Sequence, residues 1–165
     1  MINTQRLETI RTGVIAGAAG GLAEIVWVTL YAVATGANPA VVARGVTTAA
    51  GLNALLPESP VTLGIVVHMI LAVMLGVALA FAWRVLSAKR TGLANPYPFM
   101  MAVLAGVWVI NFFVVLPIVS PAFIHMVPYA VSLTSKLLFG ASAAEVVRRQ
   151  LIPASRRAAL ARKAS

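Results

Sequence analysis

Glu24 is the residue in this chain whose placement demands the most explanation. It stands in the middle of an apolar stretch over 13–35, about 15 Å from either end by the helical rise. An ionised carboxylate at that depth in hydrocarbon is costly, so it must face the protein interior and be paired or protonated. Three roles are open to it: a structural partner in an internal ion pair or hydrogen bond, a proton-carrying or ion-binding carboxylate, and a contact with another subunit. Near the other end of the chain, His125, Tyr129, Ser132 and Lys136 recur at gaps of four, three and four. That spacing puts them on one helical face as a polar stripe, which turns away from lipid. Lys136 can extend toward Glu24, or it can snorkel to the headgroups of the nearer surface.

His68 and Asn111 fall in the outer halves of two further apolar stretches. Histidines on facing helices can ligate haem or a metal. Here His68 is expected about 12 Å deep and His125 about 6 Å deep, which makes a shared group awkward. With no cysteine and no further His or acidic cluster, no metal site is expected, and no cofactor beyond bound lipid. His68 then reads as a core histidine and Asn111 as an interhelical hydrogen-bonding side chain. No Ser-His-acid order or acyl-transfer elbow is present, so catalysis is not expected.

The elements that position these groups follow from composition. The 165 residues are 61% hydrophobic and 10% charged, against about 25% charged in soluble domains. So short a chain cannot bury that much hydrocarbon in one core, and the excess must face lipid. Four stretches reach the roughly 20 residues needed to cross about 30 Å: 13–35, 61–83, 98–119 and 121–141. Ser59 and Pro60 form a helix start, as do Ser120 and Pro121. Pro128 is expected to kink the fourth helix. Residues 38–56 mix Arg44, Thr47, Thr48 and Asn53 with apolar residues and read as a short interfacial helix. A fifth span there would put Arg44 into hydrocarbon. The expected fold class is an all-α integral membrane protein: a four-transmembrane-helix bundle over 1–152, with a basic tail at 153–165.

Charge orients the spans. Arg6 and Arg11, then Arg84, Lys89 and Arg90, then the arginine-rich C-terminal segment mark one side. Arg44, offset by Glu58, and an uncharged connection around Ser120 mark the other. The positive-inside rule assigns both termini and the second connection to the cytoplasm, as in a bacterial-type inner membrane. The formal charge of +9 therefore serves topology rather than nucleic acid binding. Arg148, Arg149, Arg156 and Arg157 are expected against anionic headgroups, at about 1 kcal/mol per charge. A cleaved leader is not expected: Ala32-Val33-Ala34 resembles a cleavage site, but the stretch is too long and carries Glu24. Gly13, Gly17 and Gly20 recur at helical spacing, as do Gly64, His68, Ala72, Gly76 and Ala80, so helix seams are expected along these small faces. Trp108 is too deep for an interfacial anchor and is expected to pack inside.

Residues Gly106-Val107-Trp108-Val109-Ile110-Asn111-Phe112-Phe113-Val114-Val115-Leu116-Pro117, followed by Lys136-Leu137-Leu138-Phe139-Gly140-Ala141-Ser142, resemble the small YagU-type inner-membrane proteins. The histidine usual before the Leu-Phe-Gly-like element is here Lys136. The resemblance implies a four-helix inner-membrane protein and no particular activity. On the sequence alone, the favoured role is a non-catalytic accessory subunit or assembly factor, partnered by other membrane subunits or by copies of itself. The alternative is a small transporter or channel lined by Glu24, His68, Asn111 and the polar stripe. A third reading, a membrane-bound enzyme or haem carrier, calls for a bound cofactor.

Overall fold

A computed structural model of the chain describes residues 2–89 and 95–151. The basic tail expected at 153–165, with Arg156 and Arg157, lies outside the described residues. All regular structure among the described residues is helical: α1 (Ile2–Ala34), α2 (Ala40–Ala49), α3 (Pro60–Lys89), α4 (Pro96–Ile110), α5 (Leu116–Val119) and α6 (Tyr129–Leu151). A π-helical turn, Asn111–Val115, joins α4 to α5, and a 3-10 turn, Pro121–His125, precedes α6. Four segments are long and apolar enough to cross a membrane: Thr4–Ala34, Pro60–Ala88, Pro96–Val119 and Tyr129–Leu151. The chain is therefore a multi-pass membrane protein.

Local chemistry sets the helix ends. The α1 helix stops where Gly36 adopts φ 71°, with Gly36 N–H donating to Val33 and Ala37 N–H to Ala32. This paired ending needs a left-handed residue, which glycine supplies without steric cost. The Asn38 side chain accepts the Ala40 N–H at 2.9 Å and starts α2. Asn95 does the same for α4, accepting the Tyr97 N–H at 3.0 Å ahead of Pro96 at the first helical position.

Pro128 departs from expectation. It does not kink a helix over 121–141. The 3-10 turn ends at His125, and α6 begins at Tyr129 with the Pro128 carbonyl accepting the Ser132 N–H at 3.0 Å. Pro121 and Pro128 both lack an N–H, so one tight turn is all that fits between them before a new helix starts. The fourth helix therefore opens at Tyr129 rather than at Pro121, and it continues to Leu151.

Polar contacts bring one end each of α1, α3, α4 and α6 together. Arg84 near the end of α3 donates to the Gln5 side chain at 2.6 Å and to the Gln5 carbonyl, and also bonds Thr9. Thr12 donates to Gln150 at 3.0 Å, and the Tyr97 hydroxyl donates to Glu145 at 2.6 Å. The start of α1, the end of α3, the start of α4 and the end of α6 therefore share one end of the molecule. The same end carries Arg6, Arg11, Arg148 and Arg149 and is called the basic end below.

The helix α1 packs along both α3 and α6, and α6 packs in turn on α4, giving the order α3–α1–α6–α4. The two outer helices of that series, α3 and α4, meet chiefly at the basic end, where the Trp83 and Phe99 ring centroids are 5.8 Å apart. A continuous core that includes Leu79, Trp83, Met100, Leu104, Phe139 and Val147 fills the basic half. A smaller group, Trp108, Phe112 and Leu116, lies toward the far end. Across that far end α2 packs on α3 and against the 3-10 turn.

The glycines expected at seams divide between three contacts. A Cβ on Gly13, Gly17 or Gly76 would overlap backbone of the facing helix, so these three set the close α1–α3 crossing. Gly20 lies under the Phe139 ring of α6, while Gly64 faces the Ala43 carbonyl of α2 rather than α1. Close backbone approach is the main attraction between helices in lipid, and it depends on these absent side chains. Replacing Gly76 with Leu is expected to cost at least about 1–3 kcal/mol by overpacking. Gly106→Ala, where nothing lies near the added carbon, is expected to stay within about 0.5 kcal/mol. Unfolding midpoints of the two variants in dodecylmaltoside measure the difference.

Candidate functional site

Three helices bring ionisable groups to a common depth. Glu24 lies ten residues before the end of α1 at Ala34, His68 eight residues after the start of α3 at Pro60, and Lys136 seven residues after the start of α6 at Tyr129. By the helical rise these are depths of about 15, 12 and 10 Å from the far end. The glycine seam permits the convergence. With no side chains at Gly20 and Gly21, the α6 ring of Phe139 and the α3 residues Met69 and Ala72 press directly on α1, one turn before Glu24.

The resulting geometry is a buried cluster. Lys136 Nζ is 2.7 Å from Glu24 Oε1. The Ser135 hydroxyl donates to the same oxygen at 3.3 Å. His68 Nε2 lies 3.7 Å from Glu24 Oε2 and 3.3 Å from the Gly21 carbonyl oxygen. A carbonyl can only accept, so Nε2 is the donor in this contact. The Glu24 side chain is 4% exposed, against 22% for Lys136 and 25% for His68. The carboxylate thus sits behind, and the ammonium and imidazole sit in front.

What they front is a cavity of about 650 Å³ between α1, α2, α3, α6 and the π-turn end of α4. Its walls are mainly apolar, among them Ile25, Val28, Leu71, Phe112, Val115 and Phe139. Its polar lining includes Glu24, His68, Asn111, Ser132, Ser135 and Lys136. Pro39, Ala43, Val46 and Phe123 close it toward the far end. A volume of this size with a few convergent polar groups is typical of small-molecule sites.

The polar stripe expected on the fourth helix divides at Pro128. Ser132 and Lys136 line the cavity, whereas His125 is exposed on the 3-10 turn and is not part of the lining. His68 and His125 are therefore not brought together as a ligand pair. Tyr129 is also exposed, its ring packed edge-on against Trp108 and Phe112. Trp108 is buried as expected from its depth and donates its indole N–H to Ser132 at 2.9 Å. Asn111 lines the cavity, but among the described residues no hydrogen bond joins its carboxamide to another helix. Of the two directions open to Lys136, the side chain takes the one toward Glu24, its Nζ 2.7 Å from Oε1.

Two functional contacts escaped the sequence reading. Ser135 adjoins Lys136 and lies three residues after Ser132, so helical spacing from the stripe could have found it. Glu145 was overlooked as a partner for the arginines expected at headgroups. It accepts from Arg148 at 2.7 Å and Arg149 at 2.5 Å, spacings of three and four on α6. With Tyr97 on its other oxygen, Glu145 ties α4 to α6 at the basic end.

Breaking a buried ion pair leaves an uncompensated charge, whereas removing both charges can be nearly neutral. Lys136→Met is accordingly expected to lower stability by about 3–5 kcal/mol. Glu24→Gln added to Lys136→Met is expected to recover at least half of that loss, read from denaturant unfolding in mixed micelles. Equal destabilisation by the single and double variants would mean that the two charges do not interact.

No protein-family model, curated protein or solved structure matches this chain.

Proposed function

We propose that this chain is a membrane-embedded binding protein or carrier for a small, mainly apolar solute, held in the cavity beside Glu24, Lys136 and His68. The observation that carries this reading is the partial exposure of Lys136 and His68 to a cavity of about 650 Å³ at mid-depth. A structural subunit has no need of such a cluster, because apolar side chains of similar volume hold helices together as well as a buried ion pair does. Ionisable residues within membrane spans commonly mark substrate paths, ion paths or proton relays.

The packing also favours a carrier over a channel. The cavity occupies the far half, and the core around Trp83, Met100, Leu104 and Phe139 closes the basic half beneath it. No polar path among the described residues leads from the cluster to the basic end. A binding site open on one side suits a carrier or a solute-holding protein. In this reading the basic end faces the cytoplasm, α2 lies along the outer interface, and the membrane is a bacterial-type inner membrane. The charge distribution supports that orientation. The likeness of residues 106–142 to YagU-type proteins fits the same architecture.

Orientation is tested by reporter fusions. Alkaline phosphatase fused after Leu56 is expected to be active, and after Leu151 inactive; the opposite pattern would invert the topology. The binding role is tested by native mass spectrometry of protein released from nanodiscs. The expected spectrum shows a retained adduct on the order of a few hundred daltons, the mass range suited to a site of this size. Val28→Trp, which fills the cavity, should lose the adduct while keeping its unfolding midpoint. A bare chain in every preparation would defeat the reading. Recovery only with stoichiometric partner chains would return the accessory-subunit role to first place.

A further inference from the structure

Resting on the cavity as a solute site, the unspent donors of Lys136 point to the solute's chemistry. Lys136 has three N–H donors and gives one to Glu24. No other acceptor among the described residues takes the remaining two, and the Phe139 ring lies at the limit of cation–π reach, 6.0 Å from Nζ. Asn111 brings further unspent donors from the α4 side of the same cavity. Ser132 already accepts from Trp108 and donates to the Tyr129 carbonyl. Asn111, His68 and Ser135 offer acceptors as well as donors, but the Lys136 ammonium is a charged group that can only donate, so an occupant that meets it must accept hydrogen bonds there.

Charge narrows the choice. Glu24 and Lys136 cancel, so the site is formally neutral before anything binds. An anionic occupant at Lys136 would lie beside the Glu24 carboxylate, itself 2.7 Å from the same ammonium. Two carboxylates sharing one cation in an apolar surround repel strongly. A cationic occupant would have to reach Glu24, whose oxygens face Lys136, Ser135 and His68 behind the cavity surface. A neutral acceptor meets neither penalty.

The way in is equally marked. Ile65 and Leu71 of α3, with Val115 and Val119 on the α4–α5 side, both line the cavity and are exposed on the outside of the molecule. These residues border the gap left where α3 and α4 diverge from their contact at Trp83 and Phe99. The mouth is therefore apolar and faces sideways, at the level of hydrocarbon.

We infer that the cavity takes a neutral, lipid-soluble carbonyl compound, entering from the bilayer between α3 and α4 and held at its carbonyl oxygen by the unspent donors of Lys136, with Asn111 as a further donor.

The experiment uses the full chain in nanodiscs and three probes of similar chain length and different head: 2-undecanone, decanoate and decyltrimethylammonium. Equilibrium dialysis against protein-free nanodiscs is expected to show the ketone binding at least tenfold tighter than either ion. Infrared difference spectra should show a second carbonyl band at lower wavenumber, the sign of a charge-assisted hydrogen bond. In the Glu24→Gln, Lys136→Met double variant, which keeps the fold neutral, that band should vanish and affinity should fall about tenfold or more. Tighter binding of decanoate or of the ammonium would overturn the inference. An adduct in native mass spectra without ketone binding would sink this inference alone, whereas absence of both would remove the solute site itself. The entry route has its own readout. The chain has no cysteine, so Val115→Cys carries a single spin label. Faster relaxation by dissolved oxygen than by a water-soluble nickel chelate is expected; the reverse would place the mouth in water and refute the route.

Discussion

A carboxylate held some 15 Å inside hydrocarbon dictates the placement of the helices around it. Water cannot solvate Glu24 there, so protein groups must supply what water would, and they must do so from neighbouring helices at the same depth. Lys136, Ser135 and His68 meet that demand from α6 and α3. The requirement constrains more than side chains. The helix α6 must start where it does, because moving Lys136 by one residue turns it through about 100° and away from α1. Pro128 provides that start by ending one structure and accepting the first hydrogen bond of the next.

Close packing and open space have a common origin in this arrangement. The glycines of α1 draw α3 and α6 onto it so tightly that a Cβ has no room at Gly13, Gly17 or Gly20. The helix α4, by contrast, is attached mainly through α6, by Tyr97 to Glu145, Trp108 to Ser132 and the Leu104 core. No comparable small-residue face joins α3 to α4. Lipid offers no hydrophobic force to close such a gap, since acyl chains are as apolar as the helix faces they touch. The cleft beside Glu24 can therefore persist without an apolar penalty, which in water would collapse it.

Much of this was legible in the sequence. Composition and charge alternation gave the four long apolar stretches, and the depth of Glu24 followed from where its stretch began and ended. Spacing placed Ser132 and Lys136 on one face, as they are. The register of the fourth helix was not legible, because a proline eight residues into an apolar run reads equally as a kink or as a start. That ambiguity put His125 on the wrong element. The contacts of His68 and Glu145 were hidden for a different reason. Helical spacing says which residues share a face, but not which helix that face meets, and only the order α3–α1–α6–α4 decides it.

Pro117 shows how a backbone necessity reaches the site. Within a regular helix its ring would crowd the Phe113 carbonyl four residues back, and it has no N–H to bond there. The chain relieves this by widening the preceding turn, where the Leu116 N–H donates to the Asn111 carbonyl in a π-helical turn. The added residue re-aims everything after it, so Phe112 and Leu116 remain buried with Trp108 while Phe113, Val114 and Val115 turn outward. Asn111 opens that turn and faces the cavity, and Val115 closes it at the mouth. Widened turns of this kind recur at functional sites because they place a side chain where a regular helix cannot. The polar group opposite Lys136 and the apolar rim of the gap thus flank the turn that this proline widens.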